Sequence, residues 1–395
     1  MDAQSRRLLR KPSFMEGLAS LGEEHGLPIR QVRRSAKAAL QEMWSRHNAF
    51  ESLVWDQIGT FFLRNYDVMV DEAKIKELAA LDAEHPLLIL FSHRSYLDDW
   101  LVGHGLHRAG IQPMFILAGA NLDFFPLGGL IRRTGGLFIR RSMKGDPVYK
   151  YVLRSYLAHL MEHNQNIGWS IEGGRTRTGK LRPPRYGVLN YAIQAMRKHD
   201  GPEPYIVPVS VVYDQLSEVA TMAAEALGAS KKPEGIGWIL RFTQMQRQKG
   251  GVARVDFGDP MPLRAEVSAL EEDPRSRDIL VERVALSVCH RINQATPATP
   301  TAVVTLAFLA AERGLTVPEV MEAEQTRVRE MAIDINGFRT TGNPIKMSRT
   351  PAKADRKKPP KFGEETRAVR AEIGYSQDEI EAMITAGAAL DRPKS

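Results

Sequence analysis

The feature that most constrains this 395-residue chain is a change of texture at Pro86. Downstream of it come short apolar runs: LLILF (87–91), MFIL (114–117), LFI (137–139), IGWSI (167–171) and YIVPVSVVY (205–213). Stretches with helical spacing, such as 148–164 and 185–199, separate them. Apolar runs this short suit strands covered on both faces, and a helix between successive strands is the connection a parallel sheet requires. The expected fold is therefore α/β, a mostly parallel central sheet flanked by helices. ARVDFGDPMPL (253–263) reads as one more strand entering a turn, and 276–293 and 299–313 read as helices. Upstream, 28–48 and 51–67 carry apolar residues such as Leu53, Ile58, Phe61 and Phe62 at helical spacing, so residues 1–80 form a helical N-terminal section. The α/β domain is expected over 81–325, and a basic linker and tail over 326–395. Past residue 335 the chain is rich in Pro, Lys and Arg, which favours an extended stretch before a short helix near 376–387.

A hydrophobic content of 43% is enough for a large buried core. The net charge of +7 is local: residues 339–361 hold eight basic residues against one acid, so the rest of the chain is neutral overall. No nucleic-acid partner is expected from a charge distributed this way. The single cysteine, Cys289, excludes an internal disulfide and a cysteine-based zinc cluster, which suits a reducing compartment. MDAQSRRLLRKPSF lacks the apolar core of a signal peptide, and no window reaches the roughly 18 uninterrupted apolar residues of a spanning helix. A membrane, if met, is expected to be met at its surface.

Four segments carry chemistry. In FSHRSYLDDW (91–100) an apolar strand ends and His93 is followed five residues later by Asp98. On one helix the two would point about 140° apart. With His93 at the strand end and Asp98 in the first turn of the next helix, the carboxylate can instead meet the imidazole and hold it as a general base. SIEGGRTRTGKLRPPRYG (170–187) brings a glycine pair, Gly173 and Gly174, together with Arg175, Arg177, Lys180, Arg182 and Arg185. Glycines admit a ligand close to the backbone and fixed cations suit a phosphate dianion, so this is a candidate anion site. Glu172 there needs a partner, either a polyol hydroxyl or one of the arginines. GGLFIRRSM (135–143) sets Arg140 and Arg141 after a strand, where consecutive residues face opposite ways. VPVSVVYD (207–214) is an apolar strand bearing Pro208.

In this order the four segments resemble the blocks of the glycerolipid acyltransferase superfamily, over about residues 40–315. HRSYLD, FIRRS and EGGRTRTGK are most similar to its glycerol-3-phosphate and dihydroxyacetone-phosphate acyltransferases. The resemblance implies that fold, with His93 as general base and Asp98 as its orienting acid. It implies Arg140, Arg141, Glu172, Gly173, Gly174, Arg175 and Arg177 at the acceptor, and Pro208 on the strand shaping the acyl side. It further implies transfer of a fatty acyl group from acyl-CoA or acyl-carrier protein to the sn-1 hydroxyl of glycerol 3-phosphate, by direct attack with no metal and no cofactor. Dihydroxyacetone phosphate as acceptor, and a catalytically silent membrane-binding homologue, are the alternatives.

A lipid substrate makes a membrane surface the expected partner, on its cytoplasmic face. ANLDFFPLGGLIRRTGGLF (120–138) sets Phe124, Phe125, Leu127, Leu130 and Ile131 beside Arg132 and Arg133, the composition either of an interfacial segment or of a helix and loop covering the sheet. Residues 336–387 follow another pattern. Their GNPIK, Pro-rich, GEET and GYSQDEI runs resemble the C-terminal end of class III CoA-transferases, without that family's catalytic region.

Overall fold

Alternate residues of LLILF decide the architecture. Leu87–Phe91 forms β2 and is buried at all five positions. Leu88 and Leu90 belong to one apolar cluster, while Leu87, Ile89 and Phe91 belong to another. Because strand side chains alternate between faces, β2 lies in a middle layer with a core on each side.

This computed structural model describes residues 3–140, 142–176, 179–198, 201–226, 228, 237, 242–244, 249–299, 302–303, 305–306, 332–335, 338–341 and 363–391. They fall into two units, Met1–Pro297 and Ala298–Ser395. The first unit contains helices α1 (Ala3–Leu8), α2 (Pro12–Glu24), α3 (Ile29–Met43) and α4 (Ala49–Leu63), then strand β1 (Tyr66–Val70) and α5 (Glu72–Asp82). After β2 come α6 (Asp98–Arg108), β3 (Phe115–Gly119), α7 (Leu127–Arg133), β4 (Gly136–Ile139), α8 (Pro147–Glu162), β5 (Ile167–Ser170) and α9 (Tyr186–Arg197). The chain continues through β6 (Tyr205–Tyr213), α10 (Val219–Ala226), β7 (Gly251–Phe257) and β8 (Met261–Pro262) to helices Leu263–Glu272 and Leu280–Ala295.

The strands form one sheet in the order β1-β7-β6-β2-β5-β3-β4, with β8 also on β6. β6 pairs antiparallel with β7 and β8, and the other pairings are parallel. The fold is thus the expected mostly parallel α/β sheet flanked by helices, with a helical N-terminal section. α2, α3, α8, α9 and Leu280–Ala295 cover one face, and α4, α5 and α6 cover the other. Local sequence sets several helix starts: Asn48, Asp71 and Asp146 each accept backbone N–H bonds at an N-terminus, and Pro147 opens α8.

One element boundary differs from expectation. The helix read over 51–67 ends at Leu63, and Tyr66–Val70 is an edge strand paired with β7, so the first 80 residues contribute to the sheet. YDVMV has one wet side and alternates in burial, so it lacks the continuous apolar run that reveals a central strand. The first unit closes at Pro297. Most of the helix expected over 299–313, and the basic stretch 342–362, lie outside the described residues.

In the second unit, β9 (Ala332–Ile335) and β10 (Phe338–Thr341) form an antiparallel pair. Helices Thr366–Glu372 and Gln377–Thr385 follow, the latter within the expected 376–387 and opened by a Ser376–Glu379 capping box. Among the described residues no helix is long and apolar enough to cross a membrane.

Candidate active site

β2 and β5 are parallel neighbours with Phe91 opposite Ser170, so the loops leaving them emerge side by side at the carboxyl edge of the sheet. Ligands of open α/β sheets bind at this edge. The first loop carries His93 into α6, and the second carries Glu172 and the glycine pair. Ser92 fixes the exit, since its N–H donates to Val209 O (3.0 Å) and its Oγ accepts from Val211 N (3.1 Å).

His93 and Asp98 meet as the spacing required, with Nδ1 2.8 Å from Oδ2. The same oxygen accepts the backbone N–H groups of Arg94 (2.6 Å) and Ser95 (3.0 Å), while Oδ1 accepts the Tyr213 hydroxyl (2.8 Å). Asp98 is 1% exposed and sits in the first turn of α6, where the helix dipole favours a carboxylate. Four donors on two oxygens describe an ionised acceptor, so His93 Nδ1 carries the hydrogen and Nε2 keeps a lone pair. The imidazole remains 27% exposed, open to a substrate.

Glu172 is also 1% exposed, and its partners are backbone amides: Oε1 accepts from His93 N and Oε2 from Arg182 N, both at 3.1 Å. Neither a polyol hydroxyl nor an arginine fork is needed to satisfy it. Burial pushes this carboxyl up, and the two N–H bonds and the charge of Arg94 pull it back. Thr176 N donates to His93 O (3.0 Å), so the glycine loop clamps the His93 peptide from both sides. Gly173 has φ +64, and a Cβ there would stand 2.6 Å from Arg185 Cγ, so the turn requires glycine. At Gly174 an added Cβ meets only Arg182 Nη1 at 3.5 Å, which leaves room.

Two of the arginines are already engaged. Arg175 Nη1 donates to Glu218 Oε1 at 2.6 Å and the guanidinium lies over Tyr96, with side chains 11% and 3% exposed in the pair. Arg140 binds Glu42 through Nε (2.8 Å) and Nη2 (2.7 Å), binds Asp146 through Nη1 (2.8 Å), and covers the Tyr149 ring. It thereby fastens β4 to α3 and α8. Pro208 is buried within β6 opposite Leu90, inside the sheet. Arg141 and Arg177 lie outside the described residues. Lys180 and Arg182 carry no carboxylate partner among the described residues, Arg182 reaching only the Gly174 and Arg175 carbonyls at 3.5 Å.

Three residues of the site escaped the sequence reading. Tyr213 supports Asp98, and burial followed by that carboxylate pushes its hydroxyl far up. Glu218, 2% exposed, receives Arg175 and the Ser95 hydroxyl (2.6 Å). Arg94 sits between the charges of Glu172 and Asp98, and its Nη1 is buried without a hydrogen-bond partner among the described residues. For Tyr213 and Glu218 the available signal was position: Tyr213 ends the strand bearing Pro208, and Glu218 follows in YDQLSE.

In the 120–138 segment Phe125 is 88% exposed, but Arg132 is 8% exposed and bound to Asp123 and to the carbonyls of Glu42 (2.5 Å) and Trp44 (3.3 Å). It anchors α7 to the end of α3 and cannot serve lipid headgroups. A wider apolar surface lies on α4, where Leu53, Val54, Gln57, Ile58, Phe61 and Phe62 line an open groove of about 550 Å³. Phe62 packs on Trp100, two residues after Asp98.

A parallel α/β sheet presenting this ordered pair defines an acyltransferase domain, and residues 72–212, which contain the pair and the glycine loop, match the Acyltransferase family. Residues 222–332 match the glycerol-3-phosphate acyltransferase C-terminal region. The chain is 45% identical over 315 residues to proteins named "Putative acyltransferase plsB1" in Mycobacterium bovis and in two strains of Mycobacterium tuberculosis. The alignment covers 80% of this chain and 51% of each relative, so the chain spans about half the length of the curated relatives it matches. The chain thus carries an acyltransferase domain followed by a stretch similar to the glycerol-3-phosphate acyltransferase C-terminal region.

Proposed function

We propose that the chain transfers a fatty acyl group from the thioester of acyl-CoA or acyl-carrier protein to the sn-1 hydroxyl of glycerol 3-phosphate, an opening step of phospholipid synthesis. The observation that carries this is the His93–Asp98 pair, with an imidazole that stays 27% exposed and four groups fixing Asp98. His93 Nε2 takes the hydroxyl proton as the oxygen attacks the thioester carbonyl. The C–S bond then breaks, and the imidazolium returns the proton to the departing sulfur, giving ester and free thiol. Asp98 holds the tautomer and balances the imidazolium. Glu172, Gly173 and Gly174 shape the backbone around the acceptor. Its phosphate is held by the glycine loop, with Lys180 and Arg182 among the described cations not committed to carboxylates and Arg177 as a further ligand. Arg140 and Arg175 brace the strand end and the loop, Arg141 is a further acceptor ligand, and Pro208 shapes the acyl side from within the sheet. No cofactor or metal enters the reaction.

The membrane partner follows from the substrate. The α4 groove, with Leu53 58% exposed on it, and the exposed rings of Phe50 (72%) and Phe125 (88%) support docking on the cytoplasmic lipid surface that receives the product. The test is thiol release by the purified chain with acyl-CoA or acyl-carrier protein and, in parallel, glycerol 3-phosphate and dihydroxyacetone phosphate. Faster release with glycerol 3-phosphate is expected. Preference for dihydroxyacetone phosphate would reassign the acceptor, and lipid-vesicle binding without thiol release from any donor would indicate a silent homologue.

A further inference from the structure

α8 leads through residues 163–166 into the start of β5, so its carboxyl end lies at the sheet edge opposite His93. There His159, Glu162 and His163 hold one potential ligand atom each, all within 4.8 Å of one another. The HLMEH sequence is responsible: positions i, i+3 and i+4 share a helix face. The expectation of no metal overlooked this His-x3-His pair.

The hydrogen bonds around the rings are specific. His159 is 1% exposed, and its Nε2 lies 2.9 Å from Gln4 Oε1, while its Nδ1 is buried with no hydrogen-bond partner among the described residues. His163 Nδ1 donates to the His159 carbonyl at 2.8 Å, which leaves Nε2 as its acceptor. Each ring thus has one N–H pinned to an oxygen and one nitrogen lone pair uncommitted. Outer oxygens fix the tautomer of metal-binding histidines in this way. Glu162 adds a carboxylate whose Oε2 is held by Lys11.

We propose that His159, Glu162 and His163 form a zinc-class divalent metal site that ties α1, through Gln4, to the end of α8. Two imidazoles and one carboxylate favour zinc over magnesium or calcium, with water as the fourth ligand. Ligands each about 2.0–2.1 Å from a shared zinc stand within about 4.2 Å of one another, so small side-chain rotations close the set. Lys11, and Arg7 whose charge also reaches His159, oppose a bound cation. Lys11 competes with the metal for Glu162.

The experiment is calorimetric titration of the chelator-stripped full chain with zinc chloride, and of the same protein with Co(II) followed by visible absorption. One equivalent of zinc is expected, with cobalt bands of a tetrahedral site. His163→Ala, at an exposed position and checked for fold by circular dichroism, is expected to lose that equivalent. Gln4→Ala, which removes only the outer hydrogen bond, is expected to weaken binding about tenfold. Lys11→Gln is expected to tighten it. Saturating zinc should raise the melting temperature of the wild type and not of His163→Ala. The proposal is overturned if the wild type takes up no saturable equivalent, or if folded His163→Ala binds zinc as tightly as the wild type.

Discussion

Replacing Arg175 by Met separates a bracing role from a phosphate-binding one. In the folded chain Arg175 meets Glu218 at 2.6 Å, and the side chains of the pair are 11% and 3% exposed. Glu218 also holds the Ser95 hydroxyl, three residues before Asp98. Removing one partner of a buried ion pair leaves the other uncompensated, at about 3–5 kcal/mol. For a unit of this size that corresponds to a melting temperature lower by roughly 5–8 °C. Burial already pushes the Glu218 carboxyl up, so its protonated form is the one the fold tolerates without Arg175. The native state of the variant then binds that proton more tightly than the unfolded chain, and its deficit shrinks as pH falls. Adding Glu218→Gln should recover most of the loss, because no lone charge remains. Thermal melts of the wild type, both singles and the double would measure this beside the acceptor KM. An unchanged melting temperature with a KM raised tenfold or more would refute the reasoning and return Arg175 to the phosphate.

Two further perturbations address the pair itself. Tyr213→Phe deletes the donor to Asp98 Oδ1 and leaves a buried carboxylate oxygen short of a partner, so about 1–3 kcal/mol of stability and a measurable part of thiol-release activity should go together; loss of neither would contradict the assigned bond. Burial, reinforced by Asp98, pushes the Asp99 carboxyl from 3.8 to about 6, so stability falls as pH rises through that window and levels above it. Asp99→Asn should remove this dependence, with a gain near neutral pH of about 1–2 kcal/mol after allowance for partial exposure. Melts across pH that stay parallel for the two proteins would oppose it.

The sheet was legible because buried parallel strands write themselves as apolar runs: LLILF is β2 residue for residue. The His93–Asp98 contact was legible because a strand end followed by a helix start leaves those five residues few alternatives. The engagements of the arginines were not. Glu42 lies 98 residues from Arg140 and Glu218 lies 43 residues from Arg175, and spacing says nothing about partners brought together by the sheet. Arg132 left two readings of its segment open for the same reason, since the carbonyls it binds belong to the distant end of α3. The α4 groove went unseen because a helix apolar around much of its girth reads as core until its neighbours are known.

The central claim is that His93, held by Asp98, removes the acceptor proton. Thiol release by His93→Ala and Asp98→Asn, measured with acyl-CoA and glycerol 3-phosphate on protein that melts like the wild type, tests it most directly. His93→Ala is expected to fall to background, and Asp98→Asn by about 10³–10⁴-fold as the tautomer is lost. Undiminished release from folded His93→Ala would contradict it.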